Sequence, residues 1–412
     1  MIFLLFFYNL LVLPIFIILS LILSIFDKKV RKGLLGRINS FSRLKSFNKD
    51  KFSEIYWFHS ASYGEYQQVE TLISEIKRRD KNIGIIASFF SPSGFENVED
   101  RNIDLKIYLP FDFIFTHYKF LMLVRPKKIF FSSSDFWPSF LFVANKLNIT
   151  TILTSARYRK TYYIFLKMFD KIFCNSNTDF KLIKKNISSE VYEAGNPRYD
   201  RILNNLPKHK NKAGLTKKTK NKNLILASMW NEDNIIFEKL INSRLVNIFN
   251  KIIIVPHEIS LRYINYYCTA LDKKKYSYKL INEHKNLDNI TEKFIIIDKV
   301  GFLSKLYLQT SIAYVGGGFS TNGIHNIIEP AAASNPVIFG PNFLNSNKFD
   351  ADGLINVSGG FSIKSYEVFE QRINWLLVEK NYQFSSLNCK SFVEKFSGST
   401  KKILEIIYDK DI

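Results

Sequence analysis

Glu65 closes the run His59-Ser60-Ala61-Ser62-Tyr63-Gly64-Glu65, which follows a short apolar stretch and precedes an amphipathic one. Gly64 permits a tight turn, and the dipole of the helix that follows favours an ionised carboxylate in its first turn. Such a Glu, held at a strand end, can serve as a general base. An acid in a first helical turn is also an ordinary structural choice. A second acid, Asp135, sits in Ser132-Ser133-Ser134-Asp135-Phe136-Trp137-Pro138, either as a functional carboxylate or as a helix N-cap beside a packed aromatic. Ser93 and Glu96, in Ser91-Pro92-Ser93-Gly94-Phe95-Glu96, have capping-box spacing. Farther on, Gly316-Gly317-Gly318 is followed by Gly323-Ile324-His325-Asn326-Ile327-Ile328-Glu329-Pro330. Glycines let the backbone approach a ligand, and the next helix start offers N–H groups to a phosphate. With Glu329 able to accept from ribose hydroxyls, this stretch is a candidate nucleotide site.

Metal chemistry has little footing. Asp350-Ala351-Asp352 has the form of a metal-binding pair but follows no clear strand. The six histidines are isolated, and the three cysteines, Cys174, Cys268 and Cys389, are widely spaced. Neither a metal nor a cofactor is expected, and the cysteine usage fits a reducing compartment.

The elements that must position these residues alternate in the manner of parallel α/β sheets. Strands are predicted at Ile55–Phe58, Ile83–Ala87, Ile129–Phe131, Thr151–Leu153, Ile172–Cys174 and Val191–Glu193. After a Lys-, Asn- and Thr-rich linker over 207–223, the alternation restarts at Leu224–Ala227, Ile252–Val255, Phe294–Ile297, Ile312–Val315 and Val337–Phe339. Two Rossmann-like domains facing a cleft follow, over 40–206 and 224–400. Ligands in such sheets bind beyond the carboxyl ends of the strands, where the runs that carry Glu65, Asp135 and Gly316 begin.

Residues 1–26 are almost wholly apolar, enough to span a bilayer. Lys28, Lys29, Arg31, Lys32 and Arg37 come directly after, so the positive-inside rule places the rest in the cytoplasm. A single transmembrane anchor is expected, with a helix lying in the interface as the lesser alternative. The net charge of +21 comes from scattered lysines, as an AT-rich coding sequence produces, rather than from a basic stripe. Part of it can serve an anionic membrane. No nucleic-acid partner is expected.

Taken together, the ordered motifs resemble the Kdo (3-deoxy-D-manno-octulosonic acid) transferases of lipopolysaccharide synthesis. The resemblance runs from the anchor to about residue 400 and is carried by Ser60–Glu65, Ser91–Glu96, Tyr108-Leu109-Pro110-Phe111-Asp112, Ser155-Ala156-Arg157 and Gly195-Asn196-Pro197-Arg198-Tyr199-Asp200. Its strongest part is the run from Tyr314 through Glu329 to Gly340-Pro341. It implies a GT-B glycosyltransferase at the bacterial inner membrane that moves Kdo from CMP-Kdo to a lipid A precursor with inversion. By the same resemblance Glu65 is the base and Arg198 stands where the family has a stabilising Lys. CMP falls to Pro256, His257, Gly301, Phe302, Leu303, Asn326, Ile327, Ile328 and Glu329. Ser133 occupies the place of a second family acid, for which Asp135 is the nearest substitute. The alternatives are a GT-B enzyme with another nucleotide sugar, an inactive relative, or a membrane-tethered RNA-binding protein.

Overall fold

The computed structural model describes residues 2–206, 222–283, 286–343 and 347–408. The chain divides into two compact units, Met1–Arg201 with Phe396–Ile412, and Ile202–Lys395. Of the expected linker, residues 207–221 lie outside the described residues, and Asn223 already opens a strand.

The first unit is built on a parallel sheet of β1 (Glu54–Ser60), β2 (Ile83–Phe89), β3 (Leu105–Tyr108), β4 (Lys128–Ser132), β5 (Thr150–Ala156), β6 (Lys171–Cys174) and β7 (Glu190–Glu193), in the order β3-β2-β1-β4-β5-β6-β7. Its strands are continuous apolar runs because helices cover both faces. Trp57, Phe131 and Phe140 are buried on one side. Phe58, Phe130, Leu72 and Ile76 fill the other, joined by Ile403, Leu404 and Ile407. Those last three belong to the helix Ser399–Tyr408. The chain therefore returns to the first unit from Phe396 onward, and the second unit stops short of residue 400.

The second unit repeats the plan with β8 (Asn223–Met229), β9 (Lys251–Pro256), β10 (Tyr278–Ile281), β11 (Phe294–Ile297), β12 (Ile312–Val315), β13 (Val337–Phe339) and β14 (Gly360–Ser362), ordered β10-β11-β9-β8-β12-β13-β14. All pairings in both sheets are parallel. In each unit the order of strands reverses direction beside the first one, between β1 and β4 and between β8 and β12. These are the topological switch points at which open α/β sheets bind ligands.

All the predicted strands are present. The three that the sequence reading missed, β3, β10 and β14, all lie at sheet edges. Edge strands are half-solvated and carry residues such as Lys106 and Lys279, so their apolar signal is diluted.

At the N-terminus, Phe3–Phe26 forms a helix of 24 residues with mean hydropathy 2.7, long and apolar enough to cross a membrane. A π turn at Tyr8–Val12 lies just ahead of Pro14, and Leu13 N–H reaches back to the Tyr8 carbonyl. Proline has no N–H for a regular bond and its ring crowds the preceding turn, which the wider π turn relieves.

Candidate active site

Ser62 caps the short helix Tyr63–Tyr66 by accepting from Glu65 N–H at 3.4 Å. The Glu65 carboxylate turns back to accept from Ala61 N–H at 2.6 Å. The Glu65 carbonyl in turn accepts from Ser132 Oγ at 2.9 Å, which ties the end of β1 to the end of β4 across the switch point. Burial raises the carboxyl pKa to about 7, and the negative charge of Asp135 adds to the rise while the Ala61 bond opposes it. A carboxyl tuned close to neutrality is both ionised often enough and basic enough to take a proton from a hydroxyl.

Asp135 is not the helix cap that its position allowed. The N-terminal N–H groups of the helix Pro138–Lys146, from Ser139 and Phe140, go instead to the fully buried Asp112, at 2.9 and 3.0 Å. Asp135 Oδ2 lies 2.7 Å from His59 Nε2 and accepts from Trp137 Nε1 at 2.9 Å. His59 is buried at the end of β1, and its Nδ1 lies 2.9 Å from Ser88 Oγ, which also accepts from Trp57 Nε1. A chain of polar groups thus runs under the Glu65 site. The sequence reading quoted His59 without assigning it a role; a polar residue closing the first strand of a doubly wound sheet was the available signal. Ser133, where the resemblance implies an acid, adopts a left-handed backbone with φ of 65° directly after β4. That conformation is uncommon for a residue with a Cβ and is concentrated at functional strand ends.

Arg198 opens the helix Arg198–Asn204, its N–H bonded to Asn196 Oδ1. Its Nε is buried and has no hydrogen-bond partner among the described residues. A buried donor without an acceptor is costly unless a ligand supplies one. Other parts of the same motif are structural. Asp200 accepts from Gly398 and Thr400 N–H and so caps the last helix, while the Tyr199 ring packs on Phe396.

In the second unit the ends of β8, β9 and β12 bring three rings together. His257 stacks on Trp230 with centroids 4.0 Å apart and on His325 at 4.3 Å, and Trp230 Nε1 donates to His325 Nε2 at 2.6 Å. Burial, then repulsion from His257, lowers the His325 pKa to about 4; burial lowers His257 too. Below the rings Asp233, fully buried, accepts from Tyr314 OH, Gly317 N–H and Trp230 N–H. The sequence reading missed Asp233, whose only cue was its closeness to the end of β8.

The glycine triplet serves this packing. A Cβ on Gly316 would sit 2.4 Å from the Ser228 carbonyl and 2.6 Å from Asp233 Oδ2, and one on Gly318 would meet Gly340 Cα at 2.6 Å. The backbone approach that glycine permits is therefore to other backbone. Asn326 accepts from Ile328 N–H and donates to Glu329 Oε1, which leaves Glu329 partly exposed at the start of the helix Ile328–Ala332. Ile327 and Ile328 have buried side chains. Pro256 ends β9; Gly301, exposed with φ of 109°, and Leu303 follow β11, with the Phe302 ring buried between them. Asp350 and Asp352 both lie on the helix Lys348–Asn356.

The sequence model of a family described as 3-deoxy-D-manno-octulosonic-acid transferase (kdotransferase) matches residues 36–201, the stretch that carries Glu65, Asp135 and Arg198. A 3-deoxy-D-manno-octulosonic acid transferase of Rickettsia bellii is 26% identical over 98% of this chain and 98% of its own. One from Aquifex aeolicus is 27% identical over 79% and 86%. The likeness to Kdo transferases thus covers the first unit in the family model and nearly the whole chain in the Rickettsia bellii relative. These relatives support a glycosyltransferase, and the two parallel sheets are those of the GT-B fold. A UDP-GlcNAc 2-epimerase from Neisseria meningitidis superposes with a TM-score of 0.58 at 12% identity, covering 86% of this chain and 100% of that one. MurG from Acinetobacter baumannii superposes with a TM-score of 0.54 at 12% identity over 86% and 99%. At such identity the two structures speak for the fold alone.

Proposed function

We propose that this chain is a Kdo transferase that moves Kdo from CMP-Kdo to a lipid A precursor, in one displacement with inversion at the anomeric carbon. The observation that carries the reading is the Glu65 carboxylate, oriented by Ala61 N–H at the β1/β4 switch point and tuned to a pKa of about 7. In the reaction a hydroxyl of the acceptor's glucosamine attacks the anomeric carbon of Kdo. Its proton passes to Glu65, and the bond from that carbon to the phosphate oxygen breaks to release CMP. The Asp135 charge keeps Glu65 basic enough for the task. The unpartnered Nε of Arg198 supplies positive charge to the reacting anion, a role in which a guanidinium replaces the family's ammonium. A monophosphate leaves with less charge than a diphosphate, so cationic side chains suffice to stabilise it.

The donor reading rests on Pro256, the last residue of β9, and on His257, Gly301, Phe302, Leu303 and Asn326 through Glu329, which follow the carboxyl ends of β9, β11 and β12. Ile327, Ile328 and Phe302, with buried side chains, would contribute backbone to CMP, while the His257 ring offers a flat face. Membrane residence, on the cytoplasmic side of an inner membrane, is supported by the apolar N-terminal helix and the basic run behind it.

The test uses membranes carrying the full chain, a lipid A precursor, and either CMP-Kdo or a UDP-sugar. CMP release in step with Kdo-lipid formation is the expected result. Glycolipid formation coupled to UDP release would overturn the donor assignment.

A further inference from the structure

The ring stack of the second unit contains a hydrogen bond whose direction is fixed. Trp230 Nε1 lies 2.6 Å from His325 Nε2, and an indole nitrogen can only donate. His325 Nε2 therefore holds a lone pair, and the proton of the neutral ring sits on Nδ1. The indole and this imidazole are nearly coplanar, 9° apart, as an edge-to-edge bond requires. His257 covers both from one face, at 16° to the indole and 24° to the imidazole. Burial, with His257 alongside, lowers the His325 pKa to about 4, so the ring stays uncharged near neutral pH.

The surroundings hold this arrangement. Asp233 accepts from the backbone N–H of Trp230 and of Gly317, which fixes the residue that carries the indole and the loop beside His325 together. The His325 backbone N–H reaches the Gly316 carbonyl at 3.2 Å. A Cβ on Gly317 would lie 3.2 Å from His325 Cδ2, so the Cδ2–Nε2 edge of the imidazole lies against that loop. The opposite edge, which carries Nδ1, faces away from it. Nδ1 makes no hydrogen bond among the described residues, and the ring is half-buried rather than enclosed. The stack thus ends in one N–H of fixed direction that nothing answers.

We infer that His325 gives its Nδ1–H to the phosphate of the nucleotide-sugar donor, and that Trp230 is the positioning residue that fixes the tautomer. This deepens the donor reading above and rests on it for the nucleotide. On that reading the flat face of His257 serves the base and Glu329 the ribose hydroxyls. The phosphate is then left for His325, which stacks on the one and leads into the helix of the other. A phosphate diester carries charge and no proton, so it accepts from a fixed N–H without requiring a charged imidazole. As the bond to the sugar breaks, charge gathers on the phosphate and the hydrogen bond strengthens. Without the indole N–H, the imidazole could carry its proton on either nitrogen and the donor would be present only part of the time.

Two measurements on the full chain in detergent test it. The first is a long-range ¹H–¹⁵N spectrum of histidine-labelled protein near neutral pH, with His325→Gln to identify the His325 resonances. Wild type is expected to show the pattern of an Nδ1–H imidazole, and Trp230→Phe a mixture of tautomers. An Nε2–H pattern in wild type, or no change in Trp230→Phe, overturns the inference. The second is equilibrium binding of CMP and of cytidine. His325→Gln can still accept from Trp230 but has no N–H at the Nδ1 position, whereas the amide of His325→Asn puts one there. CMP is expected to bind about tenfold more weakly to His325→Gln, and His325→Asn to recover about threefold or more of that loss, with cytidine binding unchanged. Equal losses for CMP and cytidine, or no loss in His325→Gln, overturn the phosphate contact. If wild type binds UMP in place of CMP and His325→Gln weakens it alike, the phosphate contact stands and the CMP assignment fails.

Discussion

The two switch points occupy the same place in the same fold and are furnished in opposite ways. In the first unit the strand ends present acids whose charges face one another: Glu65, with its pKa raised to about 7, and Asp135 on His59. In the second unit the acid at the corresponding place, Asp233, is fully enclosed by three donors, and what meets the ligand side is a stack of Trp230, His257 and His325. One end of the fold keeps a proton acceptor available; the other spends its acid on rigidity and offers flat rings and backbone. On the proposed reading, topology marks the two candidate places, and the partners of a single carboxylate distinguish the one proposed for chemistry from the one proposed for binding.

Four experiments would break or sharpen that contrast. The largest effect is expected from Glu65→Gln, which removes the base while keeping the shape: kcat falls by roughly 10²–10⁴-fold with KM for CMP-Kdo nearly unchanged. A proportionate loss from Asp233→Asn would erase the distinction between the two sites. Next, Asp233→Ala leaves two backbone N–H groups and the Tyr314 hydroxyl without their acceptor. It is expected to cost about 3 kcal/mol of stability in chemical denaturation, borne by the second unit. A smaller change is expected from Asp135→Asn. Because the Asp135 charge raises the Glu65 pKa, its removal shifts the acid limb of the rate–pH profile below the wild-type midpoint near 7. A shift upward, or none, would detach Asp135 from the base.

The smallest effects are in the pH dependence of stability, and they have opposite signs. Glu65 is raised from an ordinary 4.5 to about 7, so its contribution is present below 4.5 and is lost as pH rises through 7. His325 is lowered from 6.5 to about 4, so its contribution is present above 6.5 and is lost as pH falls through 4. Relative to wild type, Glu65→Gln is expected to gain stability between pH 5 and 7. His325→Asn is expected to gain it as the solution is acidified over the same range. Urea midpoints measured across pH check both.

Much of this arrangement was legible beforehand, for reasons that differ by region. Strands buried on both faces, such as Ile83–Phe89, leave uninterrupted apolar runs, and their ends delimit the candidate loops. Glu65 was legible because a strand, a turn glycine and a helix start are local features. The edge strands were not, since solvent on one side permits lysines. Nor were the long-range partners. Nothing near Asp112 in sequence says that it caps a helix beginning at Pro138, and nothing near Asp200 says that it caps one beginning at Ser399. The Gly316–Gly318 triplet was read as a ligand loop because both roles demand the same residue; only the closeness of Ser228 and Gly340 separates them. Nor does anything near Asn9, within the apolar N-terminus, say that it bonds to Ser139 and to Ile114 N–H.

The most direct test of the account is a single-turnover experiment with donor-saturated enzyme, CMP-Kdo and a lipid A precursor, comparing wild type with Glu65→Gln across pH. The account predicts a wild-type rate that rises through a midpoint near 7, and a Glu65→Gln rate that is slower by at least about a hundredfold and flat over that range, with CMP still bound. A Glu65→Gln enzyme that transfers Kdo at the wild-type rate, with the same rise through pH 7, would contradict it.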